Sequence, residues 1–266
     1  MASPFLRIPA EVRLMIYSHL FDAGDTQSKT QNGRKTLSIR TGSANPSPLP
    51  LSKALVRKHY YVIDRSMHRR CYETTYHLKT KSAVLCAALM CVNRAVYEET
   101  AHLLYSTHTF DFGADIEAVA PFFSDLTPAS RRLATRVEVY RRRPCAWDGD
   151  SDRHEWRAMC AYLRDHAHLE YLRLVVQAGQ PAAATTWEGP RELSRADLAL
   201  LVDLGHEGLR WVADVARLKG LRHLEVVPDF CCVPAPETMN ARVFVAFSAS
   251  VDKGVTEFLR GRLGLA

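Results

Sequence analysis

The chain has 266 residues, 47% of them hydrophobic, with a formal net charge of +6 and a sequence pI near 9.0. That is enough apolar material for one large core or two small ones, while no run approaches the roughly 18 consecutive apolar residues of a membrane-spanning helix. The opening MASPFLRIPAEVRLMIYSHLF sets Pro9, Glu11 and Arg13 where a secretory leader keeps an unbroken apolar stretch, so we expect an intracellular protein, cytoplasmic or nuclear.

Residues 5–21 read as a first helix. Pro9 suits the first helical position, where its missing N–H costs nothing, and Glu11 sits in the same turn, favoured by the positive end of the helix dipole. Val12, Met15, Ile16 and Leu20 recur at helical spacing, and Phe5, Leu6 and Ile8 precede them. A helix this short must dock on something.

From Asp22 to Thr80 glycine, proline and asparagine punctuate the chain. Between Lys29 and Lys81 twelve Lys and Arg face only Asp64 and Glu73, a local charge of +10 that leaves −4 for the remainder. Strand-like runs at 36–40, 60–64 and 74–78 suggest an insertion of loops and a few strands, and the composition of Asn45 to Pro50 suggests disorder.

Lys81 to Phe112 carries the clearest periodicity. Leu85, Leu89, Val92, Val96 and Leu103, widened by Leu104, predict a long amphipathic helix, with Arg94 placed to pair along its wet face with Glu98 or Glu99. Thr109, Phe110, Asp111 and Phe112 then switch to the period of a strand. Beyond it come a short helix over 115–126, interrupted near Pro121, and strand candidates at 136–140, 169–176 and 221–227. The last two share the LxxLxL spacing of a leucine-rich-repeat strand, Leu169, Leu172, Leu174 and Leu221, Leu224, Val226. Helices at 154–166 and 194–218 separate these strands, an alternation that favours a mostly parallel sheet. A further strand is expected at Val243 to Phe247, a loop at Pro234 to Pro236, and a closing helix at Val255 to Leu263.

Seven cysteines without a CxxC pair imply neither a disulfide framework nor a zinc site, so they read as reduced thiols. Asp148, Asp150 and Asp152 alternate like the start of a calcium loop, but Arg153 and Met159 stand where such a loop requires Gly and Glu. Asp152 with Glu155 reads better as a helix cap. His166 and His168, near Asp165, have no third ligand close in sequence and read as surface or helix-end residues. There is no GxSxG, GxxxxGK, GxGxxG or HExxH. We assign no catalytic, metal-binding or cofactor-binding residue, and expect no enzyme. Arg131, Arg132, Arg136, Arg141, Arg142 and Arg143, with Tyr60, Tyr61, Tyr72 and Tyr76 of the basic segment, offer phosphate contacts and stacking surfaces for nucleic acid. A solvated edge explains them more simply, because no nucleic-acid motif accompanies the charge.

Two blocks carry a resemblance. Leu6, Pro9, Glu11, Arg13, Ile16 and Tyr17 match the LPxEIRxxIY opening of the F-box-like proteins abundant in filamentous fungi. Val92, Asn93, Arg94, Tyr97, Glu98, Glu99, Leu104, Tyr105, Thr109 and Phe110 are similar to their VNRxIYEEAxxxLYxxNTF block. Many members of that group are described only as domains of unknown function. With the alternating strands and helices and the LxxLxL pair, the resemblance points to a mixed α+β or α/β fold, F-box-like helices packed on a short, irregular leucine-rich-repeat-like sheet. Residues 1–112 would form the F-box-like region around the basic insertion, and 113–266 the continuous repeat-like region. It also implies a protein-interaction adaptor of the kind that serves as a substrate-recognition subunit of a cullin-RING ubiquitin ligase. Phe5, Leu6, Ile8, Pro9, Val12, Met15 and Ile16 would anchor a Skp-type adaptor, and the sheet would hold a target protein. The alternatives are a stand-alone scaffold whose first helix is internal, and a basic-patch nucleic-acid binder.

Overall fold

The computed structural model describes residues 4–22, 35–42, 60–64, 70–78, 88–142, 150–181, 192–234 and 237–265. The expectations for Asn45 to Pro50, for the helix start from Lys81 to Leu85, and for Arg143, Asp148, Ala235 and Pro236 fall outside these residues, as do the side chains of Tyr60, Tyr61, Tyr72, Asp150 and Asp152.

Five strands run parallel: β1 (Thr36–Gly42), β4 (Thr109–Gly113), β5 (Arg136–Arg141), β6 (Tyr171–Pro181) and β7 (His223–Val233). Two more, β2 (Tyr60–Asp64) and β3 (Arg70–Leu78), add an antiparallel pair beside β1, giving the order β2-β3-β1-β4-β5-β6-β7. The basic segment therefore contributes three strands, and two of them, β3 and β1, lie inside the sheet. The expected boundary near residue 112 falls between directly paired neighbours, Phe110 opposite Val137, and one apolar cluster extends from Tyr17 to Leu259.

Strand alternation sorts the side chains. Val137 and Val139, Leu172, Leu174 and Val176, and Leu224 and Val226 are buried on one face. The repeated LxxLxL spacing marks true neighbours, since Leu172 lies opposite Leu224 and Leu174 opposite Val226.

The helices are α1 (Ala10–Asp22), α2 (Arg94–Thr107), α3 (Val119–Asp125), α4 (Pro128–Leu133), α5 (Asp150–His166), α6 (Arg195–Asp203), α7 (Arg210–Val215), α8 (Met239–Ser250) and α9 (Thr256–Leu263). α5 follows its sequence pattern: Trp156, Met159, Cys160 and Leu163, spaced i, i+3, i+4 and i+7, are all buried. Trp156 stands edge-on to Trp211, with ring centroids 5.9 Å apart, and its Nε1–H donates to the Trp211 carbonyl at 3.3 Å.

Several expectations need correction. The central helix is interrupted among the described residues: Asn93 caps α2, its Oδ1 accepting from the Val96 N–H at 3.0 Å, and helical residues 88–90 lie before that break. Val92 lies between the two and is exposed rather than part of a buried stripe. The helix expected over 194–218 is two, divided at Gly205, whose φ of +70° closes α6. Val243 to Phe247 belongs to α8, not to a strand, and Thr238 caps that helix by accepting from the Ala241 N–H at 3.2 Å. Asp152 lies within the first turn of α5 rather than at its cap, because the helix begins at Asp150.

Candidate functional site

α1 and α2 run side by side in the same direction, since Arg13 meets Glu99 and the Phe21 ring meets His108 edge-on at 6.4 Å. Arg13 Nε donates to Glu99 Oε2 at 3.0 Å, a second guanidinium N–H reaches the other carboxylate oxygen, and the Tyr17 hydroxyl donates to Glu99 Oε2 at 3.1 Å. Arg13 Nη1 also donates to the carbonyls of Leu6, at 3.2 Å, and Ile8. This fork ties the entry segment, α1 and α2 together. Hydrogen bonding from Arg13, and then from Tyr17, holds the Glu99 carboxyl below the usual glutamate range, while burial and the Glu99 charge push the Tyr17 phenol up. Arg13, Tyr17 and Glu99 all belong to the two blocks matched in sequence, so those positions have a concrete joint role.

With about 100° between successive helical residues, Arg13, Tyr17 and Phe21 share one side of α1, and Tyr17 and Phe21 are buried there. Val12, Met15 and Ile16 lie on another side, and Leu20, seven positions after Arg13, stands at the border between the two. Val12 is 43% exposed, Met15 61% and Leu20 36%, with Ile16 half-buried. The apolar stripe recognised in sequence is therefore the outward one, and the inward side contains a charged residue and a tyrosine. The seven expected anchors divide accordingly. Phe5 and Leu6 pack against the core, with Phe5 6.0 Å from the Tyr17 ring. Ile8 and Ile16 are half-buried, and Pro9, Val12 and Met15 are exposed. Leu14, 39% exposed and not among the expected anchors, lies on the opposite side of the helix from Val12, seven positions before Phe21.

The second face of the sheet carries a polar row in register. Ser38, Asp111, Glu138, Arg173 and Glu225 lie opposite one another across β1, β4, β5, β6 and β7. Arg40 donates to Asp111 at 2.8 Å, Ser38 to Asp111 at 3.1 Å, and Arg173 bridges Glu138 at 3.0 Å and Glu225 at 3.3 Å. Arg40 also covers Gly113, whose φ of +53° ends β4 and where a Cβ would come within 3.1 Å of the guanidinium. Flanking the row, Arg136 lies 4.0 Å over the Tyr171 ring, which stacks on His223, and the Tyr140 hydroxyl donates to Asp229 at 2.6 Å.

The expected basic patch is dispersed. Arg141 points to the buried face and is 3% exposed, Arg136 is committed to Tyr171 on the other face, and Arg131 donates to the Phe123 carbonyl at 2.9 Å. Arg132 and Arg142 are exposed. Among the histidines, His166 ends α5 with its ring 5.0 Å from Tyr162, and Asp165 pairs with Arg164 at 2.8 Å. Burial pushes the Cys160 thiol and the Tyr140 and Tyr171 phenols up, away from the range of a nucleophile or base. Among the described residues no three His, Cys, Asp or Glu side chains converge as metal ligands would, and no helix is long and apolar enough to cross a membrane.

No curated protein and no solved structure matches the chain at significant similarity. The model of one family, described as a domain of unknown function (DUF7730), matches residues 1–198, a stretch that takes in α1, the Arg13–Glu99 fork and the sheet through β6. Since this match covers well over half of its length, the chain belongs to the DUF7730 family.

Proposed function

We propose that the protein is a non-enzymatic, F-box-like interaction adaptor. The outward side of α1 docks in the apolar groove of a Skp-type adaptor of a cullin-RING ubiquitin ligase, and the polar face of the parallel sheet receives a target protein. One observation carries the reading: α1 is fixed to the fold through Arg13, Tyr17 and Phe21, and this leaves Val12 and Met15 facing outward at helical spacing, with Leu20 exposed at their border. An amphipathic helix presenting its apolar side from a rigid support is the arrangement used in helix-in-groove recognition. The resemblance of the two sequence blocks supplies the identity of the partner, and the polar row from Ser38 to Glu225 suits a hydrogen-bonded, charged target surface.

The test is capture of the purified chain by a Skp-type adaptor, comparing wild type with Val12→Asp and Met15→Asp. Binding by wild type and its loss in both variants is expected, while Leu204→Asp, at an exposed leucine on another element, binds as wild type does. A folded wild type that does not bind would remove the ligase role and leave the stand-alone scaffold.

A further inference from the structure

At the carboxyl end of β5 lies a cavity of about 130 Å³ lined by Arg141, Arg153, His154, Trp156, Arg157, Glu207, Arg210, Trp211 and Asp214. Its walls come from three separate places in the chain: the last residue of β5, the first two turns of α5, and the segment from Glu207 through α7. The carboxyl ends of strands in parallel α/β sheets are where such folds characteristically bind ligands.

Four guanidiniums therefore face two carboxylates. The ion pairs between them are long: Arg153 to Glu207 at 3.6 Å, and Arg157 to Asp214 at 3.9 Å, with Arg217 also 3.7 Å from Asp214. These distances exceed those of direct hydrogen bonds, so Glu207 and Asp214 attract Arg153 and Arg157 without occupying their N–H forks. Arg210 donates Nε–H to the Gly205 carbonyl at 3.3 Å. Arg141 is buried with its guanidinium 5.1 Å from the Trp156 ring centroid, and Trp211, on the same wall, has a buried indole N–H with no acceptor among the described residues. Burial pushes the Asp214 carboxyl up against the pull of Arg157 and Arg217.

From this arrangement we infer that the cavity is a binding site for a single phosphoryl group. Its size is well below the roughly 300 to 1,000 Å³ of pockets that take whole small-molecule ligands, so it accommodates one group rather than a nucleotide. A carboxylate is satisfied by one planar guanidinium fork. A tetrahedral phosphoryl group offers three oxygens in different directions, which matches several guanidiniums converging from separate elements. The inference stands apart from the docking role of α1, because no residue of that helix lines the cavity.

The experiment is titration of the full chain, ¹⁵N-labelled, while following the indole N–H resonances of Trp156 and Trp211. Three ligands are compared at equal ionic strength: inorganic phosphate, N-acetyl-O-phosphoserine amide and chloride. Saturable shifts of both resonances with the two phosphoryl ligands, and none with chloride, are expected. Tighter binding of inorganic phosphate assigns the site to free phosphate, and tighter binding of the phosphoserine derivative to a phosphorylated side chain. The double variant Arg153→Gln/Arg210→Gln should weaken either ligand about tenfold or more, the worth of a charge-assisted hydrogen bond, whereas Arg222→Gln, elsewhere on the surface, should leave affinity unchanged. Shifts that do not saturate, that chloride reproduces, or that persist unchanged in the double variant would overturn the assignment.

Discussion

Helices α1 and α5 both dock on the core, yet they present opposite kinds of side chain to it. α5 buries Trp156, Met159, Cys160 and Leu163, an apolar stripe turned inward. α1 turns its stripe outward and attaches itself through a charged fork and two aromatic rings, Arg13 to Glu99 with Tyr17 and Phe21. An apolar stripe on a helix does not by itself say which way the helix faces. In α5 the cover is internal. In α1 the polar contacts fix the helix, and Val12 and Met15 on its apolar side are left exposed.

The largest effects expected from this contrast are in stability. Trp156→Ala should cost about 3 to 5 kcal/mol by leaving a cavity beside Trp211, and Phe21→Ala a similar amount, measured by chemical denaturation. Met15→Ala should fall within about 0.5 kcal/mol of wild type, as exposed positions do. If Met15→Ala proved as destabilising as Trp156→Ala, the two helices would not differ in the way described.

The fork gives an effect that depends on pH. Because Glu99 is held below its ordinary value, its contribution is complete above a pH of about 4.3, the reference for an unperturbed glutamate, and is lost as pH falls through the depressed value. Glu99→Gln should therefore melt below wild type at neutral pH, and the gap should close on acidification. A gap independent of pH would mean that the ionised carboxylate is not what joins the helices.

A smaller effect belongs to His108, at the carboxyl end of α2. Its Nδ1 lies 3.0 Å from the Leu104 carbonyl, and burial pushes the imidazole down. The unfolded chain binds that proton first, so wild-type stability should fall as pH drops below about 6.5, the reference for an unperturbed histidine. His108→Gln should remove that part of the pH dependence in thermal melts.

Much of the sheet was legible from local spacing. The paired LxxLxL segments proved to be adjacent strands because burial of one face leaves a period of two in the sequence. The apolar run Val243 to Phe247 misled for the converse reason: a short continuous run carries no period, and the Thr238 cap was the better signal. Gly205 likewise marked the break between α6 and α7. The outward stripe of α1 was visible in the sequence, but its direction was not. That direction depends on Arg13 reaching Glu99, 86 positions away, where a charged residue on the wet side would ordinarily be assumed. The arginine-lined cavity was hidden in the same way, since its walls come from segments that only the fold brings together.

Methionine oxidation tests the central claim most directly, because Met15 and Met159 place one thioether on each of the two helices. In the free chain limited peroxide treatment read by mass spectrometry should convert Met15 to sulfoxide well before Met159, which is 4% exposed. Adding a Skp-type adaptor should slow Met15 while leaving Met239, 72% exposed on α8, unaffected. Equal protection of Met15 and Met159 in the free chain, or no change at Met15 with adaptor present, would contradict the claim that α1 carries an outward docking surface.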